Sequence, residues 1–347
     1  MTQKTMFLPT KKGKLRAKTK SIIKNFIKIV FPLVLGIVIL YFLYAGTDFN
    51  DLWSKVRDAN WTILIFSLIF GLLGNIIRGL RWELLIKPLG YTPLKKNLIY
   101  AVLGNYAVNF ALPRAGEVWR CGVVSKKEKI PFTRLIGTLI IDRLFDTIMV
   151  LLIVVLAFFF NVALFYKNKE MFNLPAFLTS PLFYAGCLLM LALAVIVIIF
   201  FKKNTIVKKI RTFFISIWKD MKIVWKMKEK KRFILYTLGI WFSYFLYFYV
   251  TLFAFEFTAN IGFAAGLFIF AISSVSMGIP SNGGLGPWQA AVVFGLSAFM
   301  VSMDEARAFA TAVFACQTVW IVACGLFGIA AFSFNKKNGE QNTQDAC

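Results

Sequence analysis

The sequence predicts an all-α, polytopic helical membrane protein of about eight transmembrane helices, with a re-entrant segment near 98–113 and a broken-helix region near 280–287. Three observations predict it. Of 347 residues, 59% are hydrophobic and 38 are Phe, and the mean hydropathy is +0.71. Apolar runs of about 17–25 residues recur along the chain, the length that a bilayer-spanning helix needs. The net charge of +24, from 40 Lys+Arg against 16 Asp+Glu, sits between those runs. That is the pattern of basic cytoplasmic loops, not of a nucleic-acid-binding surface.

Composition also excludes chemistry. His is absent, so there is no imidazole base, imidazole metal ligand or His-containing triad. The five cysteines, Cys121, Cys187, Cys316, Cys324 and Cys347, form no CxxC pair and read as packing thiols. No metal and no cofactor is expected.

Residues 1–28 carry nine Lys/Arg and no acid. Residues 1–25 read as a cytoplasmic tail, before a single membrane domain over 26–334 and a short cytoplasmic tail over 335–347. The run 26–45 has no cleavage motif and reads as an uncleaved first span. Loop 46–61 holds Asp48, Asp51 and Asp58 against Lys55 and Arg57, which places it outside. Span 62–82 follows. At its inner end Asn75, Arg78, Arg81 and Glu83 cluster; Arg78 and Arg81 read either as snorkelling anchors or as phosphate ligands.

The run 98–113 is the anomaly. Its 16 residues would make a helix roughly 24 Å long, short of a hydrocarbon core of about 30 Å. Basic segments flank it on both sides, and one crossing would put one of them outside. Asn105 and Asn109, four apart, share a helical face. A segment that enters from the cytoplasm and returns fits these facts; a short tilted span is the alternative. Arg114, Glu117 and Arg120 then stand where the segment emerges.

Span 135–160 carries Asp142, Arg143 and Asp146 well inside apolar chain. Asp142 and Asp146 share a face, and Arg143 can pair with Asp146 three residues on. Each unpaired charge there costs roughly 2.5–3.5 kcal/mol, so they must face protein or water. They read either as an ion-pair cluster locking helices together or as a polar headgroup site. Glu117 is a natural partner for Arg143, and Arg114 or Arg120 for Asp142 or Asp146.

Loop 161–180 is nearly neutral and external, and span 181–201 returns. Loop 202–232, with twelve Lys/Arg and two acids, is internal. Within it, 205–228 reads as an amphipathic helix on the anionic cytoplasmic leaflet, or as a surface for a protein partner. Spans follow at 233–255 and 262–279. The break 278–289, GIPSNGGLGPWQ, cannot stay helical. It is either a tight turn or a dip whose free N–H groups, at Gly283, Gly284, Gly286 and the helix start near Gln289, hold an anion. Spans 288–301 and 308–333 complete eight crossings with both termini inside. The two breaks share a loose order of Pro, Gly, Trp and a polar residue, as paired broken helices in transporter repeats do.

Taken together, GNIIRGLRWELL, NFALPRAGEVWR followed by IIDRLFDTIMVLL, and GIPSNGGLGPWQAAVVFGL resemble the flippase-like membrane domain of lysylphosphatidylglycerol synthases, over most of residues 28–333. The resemblance implies movement of lipids or lipid-linked molecules between leaflets. It assigns Arg114, Glu117 and Arg120 to a Gly-Glu-x-x-Arg element, Asp142, Arg143 and Asp146 to an acidic-Arg-x-x-Asp element, and Gly283, Gly284 and Gly286 to a Gly-rich break. The sequence departs from the family at Gln289, where an acid is frequent. The synthases add a soluble aminoacyl-transferring domain, and the 14 residues after Ser333 leave no room for one.

The expected function is therefore a lipid or lipid-linked-substrate flippase of the bacterial inner membrane, with an enzymatic role kept open as a rival. Arg114, Arg120 and Arg143 would contact phosphate. Glu117, Asp142 and Asp146 would orient them or receive a cationic headgroup. No ATP-binding motif is present, so uphill movement would need an ion gradient or a partner. The rival readings are aminoacyl transfer to phosphatidylglycerol, a non-transporting scaffold that recruits a partner through 202–232, and transport of small solutes.

Overall fold

The computed structural model describes residues 30–162 and 227–334. The expected tails 1–25 and 335–347, span 181–201 and nearly all of the amphipathic segment 205–228 lie outside the described residues. What is described is helical and polytopic, as expected. In chain order the helices are α1 (Val30–Tyr44), α2 (Phe49–Arg57), α3 (Trp61–Ile86), α4 (Lys95–Ala111), α5 (Ala115–Glu128), α6 (Phe132–Phe160), α7 (Lys230–Tyr249), α8 (Phe263–Ser276), α9 (Pro287–Ser297) and α10 (Met303–Phe334).

Local sequence explains the ends. Asp48 caps α2, its carboxylate accepting from the Asn50 N–H at 2.8 Å, and Asn60 caps α3 through the Ile63 N–H at 3.3 Å. Side-chain oxygens at these positions satisfy N–H groups that a helix start leaves free. Loop 46–61 contains α2, which turns 96° from α1 and buries Leu52 and Val56.

Four described stretches are long and apolar enough to cross a bilayer: Trp61–Leu89, Phe132–Phe160, Lys230–Ala254 and Met303–Phe334. A fifth is added if α1 and α2 count as one bent span. On their outer faces Leu151, Val155 and Phe159 of α6, Leu235 and Phe242 of α7 and Val319 and Phe327 of α10 are exposed. These side chains suit contact with lipid tails.

Two expected crossings hold short helices. The helix in 262–279 has 14 residues and that in 288–301 has 11, about 21 and 16 Å long at 1.5 Å per residue. Neither reaches across about 30 Å of hydrocarbon. They fold back on each other instead: a Cβ at Gly295 on α9 would lie 2.8 Å from Ile272 and 3.1 Å from Ile269 on α8.

A second hairpin forms from α4 and α5. The re-entrant expectation for 98–113 places the outgoing limb, but the return is a helix, Ala115–Glu128, where a basic cytoplasmic segment is expected. Its charges mask a stripe in which Cys121 and Val124 are fully buried, joining Trp82, Leu98, Val102 and Leu135 in one core cluster. The limbs cross closely at Gly116, where a Cβ would run into the Asn105 carbonyl oxygen. Gly116→Ala is expected to cost about 1–3 kcal/mol by overpacking, seen as a lower melting temperature of the purified protein in detergent. A melting temperature equal to that of the parent would show that the crossing can relax.

The turns of the two hairpins meet. Arg114 donates to the Gly278 carbonyl at 2.6 Å, and the Asn282 amide donates to the Phe110 carbonyl at 3.0 Å. Arg114 takes a left-handed conformation, φ 62°, costly for a residue with a Cβ.

Candidate functional site

Helical spacing builds the centre of the molecule. Arg78 and Arg81 lie three apart on α3, and Asp142 and Asp146 four apart on α6, so each pair shares a face. Arg120 arrives from α5. Arg81 is the hub: its Nη2 lies 2.6 Å from Asp142 Oδ1 and 2.7 Å from Asp146 Oδ1, and its Nη1 donates to Thr237 Oγ1 at 3.2 Å. Arg78 Nη1 reaches Asp146 Oδ2 at 2.7 Å. Arg120 Nη2 reaches Asp142 Oδ2 at 3.0 Å, and its guanidinium stacks over Trp82, 4.7 Å from the ring centre.

Arg81, Arg120 and Asp142 have no exposed surface, and Arg78 and Asp146 nearly none. Arg143 and Glu117 pair at 2.7 Å at the more open edge of the cluster, and Arg143 also reaches Asp146 at 3.3 Å. Four guanidiniums (Arg78, Arg81, Arg120, Arg143) thus share three carboxylates (Glu117, Asp142, Asp146), leaving one positive charge over. In a low-dielectric interior such an excess is costly unless an anion offsets it. Arg120 adds to the imbalance: its Nε and Nη1 are buried and have no hydrogen-bond partner among the described residues.

Beside the cluster lies a cavity of about 320 Å³, between α3, α4, α7, α8, α9 and α10. Arg78 lines it and is its one charged wall among the described residues. A chain of hydroxyls and an amide ties Arg78 to that wall. The Tyr244 hydroxyl accepts from Arg78 Nε at 3.3 Å and donates to Asn75 Oδ1 at 2.7 Å. The Tyr106 hydroxyl lies 3.0 Å from that of Tyr244.

The sequence-predicted residues divide. Arg78, Arg81, Glu117, Arg120, Asp142, Arg143 and Asp146 come together, with the Glu117–Arg143 and Arg120–Asp142 pairs among the expected options. Arg114 does not join them; its guanidinium is spent on the Gly278 carbonyl. Arg120, expected on phosphate, has no exposed surface and does not line the cavity. Asn109 accepts from the Gly116 N–H at 2.8 Å and faces Asn105 at 3.5 Å, so this pair braces the hairpin turn.

Gly283, Gly284 and Gly286 adopt φ of 61°, 91° and 86°, conformations open to glycine. Three N–H groups around the start of α9, where free ones are expected, are used internally. Gly286 donates to Gln289 Oε1 at 2.7 Å, Trp288 to the Gly284 carbonyl and Ala290 to the Gly286 carbonyl, while Pro287 has no N–H. Gln289, expected as a ligand, is the cap of α9.

Spacing did not single out Tyr106, Tyr244, Gln317, Trp241 or Trp320, all of which line the cavity. One signal was available: Gln317 is a lone amide in the apolar run 308–333.

Comparison with known proteins agrees with this architecture. The lysylphosphatidylglycerol synthase TM region family matches residues 29–325. A UPF0104 membrane protein of Methanocaldococcus jannaschii is 30% identical over 127 residues, 35% of this chain and 38% of its own length. A protein of Haloferax volcanii named glycosyltransferase AglD is 26% identical over 121 residues, 35% of this chain and 19% of its own length. The chain thus spans well under half the length of these curated relatives. No solved structure matches it.

Proposed function

The chain belongs to the lysylphosphatidylglycerol synthase TM region family, and from that premise we propose that it moves a lipid or lipid-linked substrate between the leaflets of the bacterial inner membrane. The observation that carries this reading is the buried cluster with one guanidinium in excess, which reaches the cavity through Arg78. An anionic headgroup entering there gains a charge-assisted contact and offsets the excess. Its acyl chains stay in lipid, because a cavity of about 320 Å³ is small for them.

The Glu117–Arg143 pair is the part of the cluster that solvent or a headgroup can reach: its side chains are 30% and 37% exposed. It forms the approach, and Asp146, bonded to both Arg143 and Arg78, links approach and cavity. In this reading both termini are cytoplasmic and basic loops rest on the anionic leaflet, which the loop charges support.

Proteoliposomes carrying chain-labelled fluorescent lipid test the proposal. The parent protein is expected to speed translocation over protein-free vesicles, and Glu117→Ala and Arg143→Ala each to slow it several-fold. Rates unchanged by both substitutions would remove that pair from the site. No acceleration by the parent with any lipid would sink the transport reading itself.

A further inference from the structure

Resting on that reading, we infer that the cavity selects a phosphate-linked headgroup that is uncharged and rich in hydroxyls, such as a sugar or cyclitol, over a cationic one. The wall chemistry carries this. Phosphate has one charged partner, Arg78. Beyond it no Asp or Glu lines the cavity among the described residues, so an ammonium headgroup finds no counter-charge and meets the unneutralised excess of the Arg cluster.

The remaining polar groups come as both donors and acceptors. Gln317 Nε2 donates to the Tyr247 carbonyl at 3.1 Å, which leaves its Oε1 as an acceptor. Asn75 Oδ1 is taken by Tyr244, which leaves its NH₂ as a donor. A quaternary ammonium cannot accept a hydrogen bond from the Asn75 NH₂, and a protonated amine has no lone pair for it. A hydroxyl both donates and accepts, and so can serve Gln317 and Asn75 together.

Shape agrees. Trp241, Trp288 and Trp320 line the cavity, and aromatic rings suit the C–H faces of a ring held by hydroxyls at its rim. The cavity holds the volume of roughly ten waters at about 30 Å³ each, enough for one six-membered ring.

The test is competition among phosphatidylinositol, phosphatidic acid and phosphatidylcholine for the full-length protein, read by native mass spectrometry and by translocation in proteoliposomes. Phosphatidylinositol is expected to bind about tenfold more tightly than the other two. Gln317→Leu and Gln317→Met are expected to remove that advantage while leaving phosphatidic acid binding unchanged. Equal or tighter binding of phosphatidylcholine would overturn the inference, as would a parallel loss for phosphatidylinositol and phosphatidic acid in both variants. Preference for phosphatidylcholine with translocation intact would overturn this inference alone. Absence of binding and translocation for all three would overturn it together with the proposed function.

Discussion

Asp142→Ala is expected to be the most damaging single substitution in the described chain, lowering stability by about 3–5 kcal/mol. Asp142 has no exposed surface and accepts from Arg81 and Arg120, with Arg78 at 3.9 Å. Removing it leaves four guanidiniums against two carboxylates, and three of those guanidiniums, Arg78, Arg81 and Arg120, are buried. The lost attraction matters less than the charges left without compensation. The measurement is the thermal midpoint and yield of folded protein in detergent, beside Asp51→Ala. Asp51 pairs with Lys55 on the exposed face of α2, where such a pair is worth up to about 1 kcal/mol. If the two variants behaved alike, the cluster would not be the electrostatic keystone of the bundle.

The second large effect separates folding from transport. Arg78→Met combined with Asp146→Leu removes one charge of each sign and keeps the excess at one. Replacing a buried pair by apolar side chains of similar volume is often neutral for stability, so the double variant should melt closer to the parent than Asp146→Leu alone. Translocation should still fall, on the order of 10- to 100-fold, as expected for a lost charge-assisted hydrogen bond of about 1.5–3 kcal/mol. A double variant that is stable and moves lipid at the parental rate would show that Arg78 serves folding only.

What the sequence made legible was local. Long apolar runs marked α3, α6, α7 and α10, because a span must be continuous and apolar whatever it packs against. The i,i+3 and i,i+4 spacing of Arg78 with Arg81 and of Asp142 with Asp146 showed shared faces, and charge opposition suggested Glu117 for Arg143. Arg114 was illegible because its acceptor is a main-chain carbonyl, which carries no residue signature. Helix α5 was masked because its buried side includes Arg120 beside Cys121 and Val124, and Lys126 and Lys127 follow. The cavity was beyond local reading: Arg78, Tyr106, Tyr244 and Gln317 meet only once α3, α4, α7 and α10 have packed. The short hairpin α8–α9 looked like two spans because hydropathy reports composition and cannot see where a helix ends.

The meeting of the two hairpin turns has a genetic consequence. Both hydrogen bonds across it run from a side chain to a backbone carbonyl, Arg114 to Gly278 and Asn282 to Phe110. Every residue type retains that carbonyl, so changing the side chain at 278 or 110 does not delete the acceptor. Sensitivity of the joint to substitution is therefore lopsided. A saturation scan would score the donors at 114 and 282 as intolerant and could pass over their partners, and a search for compensating pairs would find no covariation between positions in direct contact. Contacts of this kind hold a fold together while leaving no trace in paired substitution patterns.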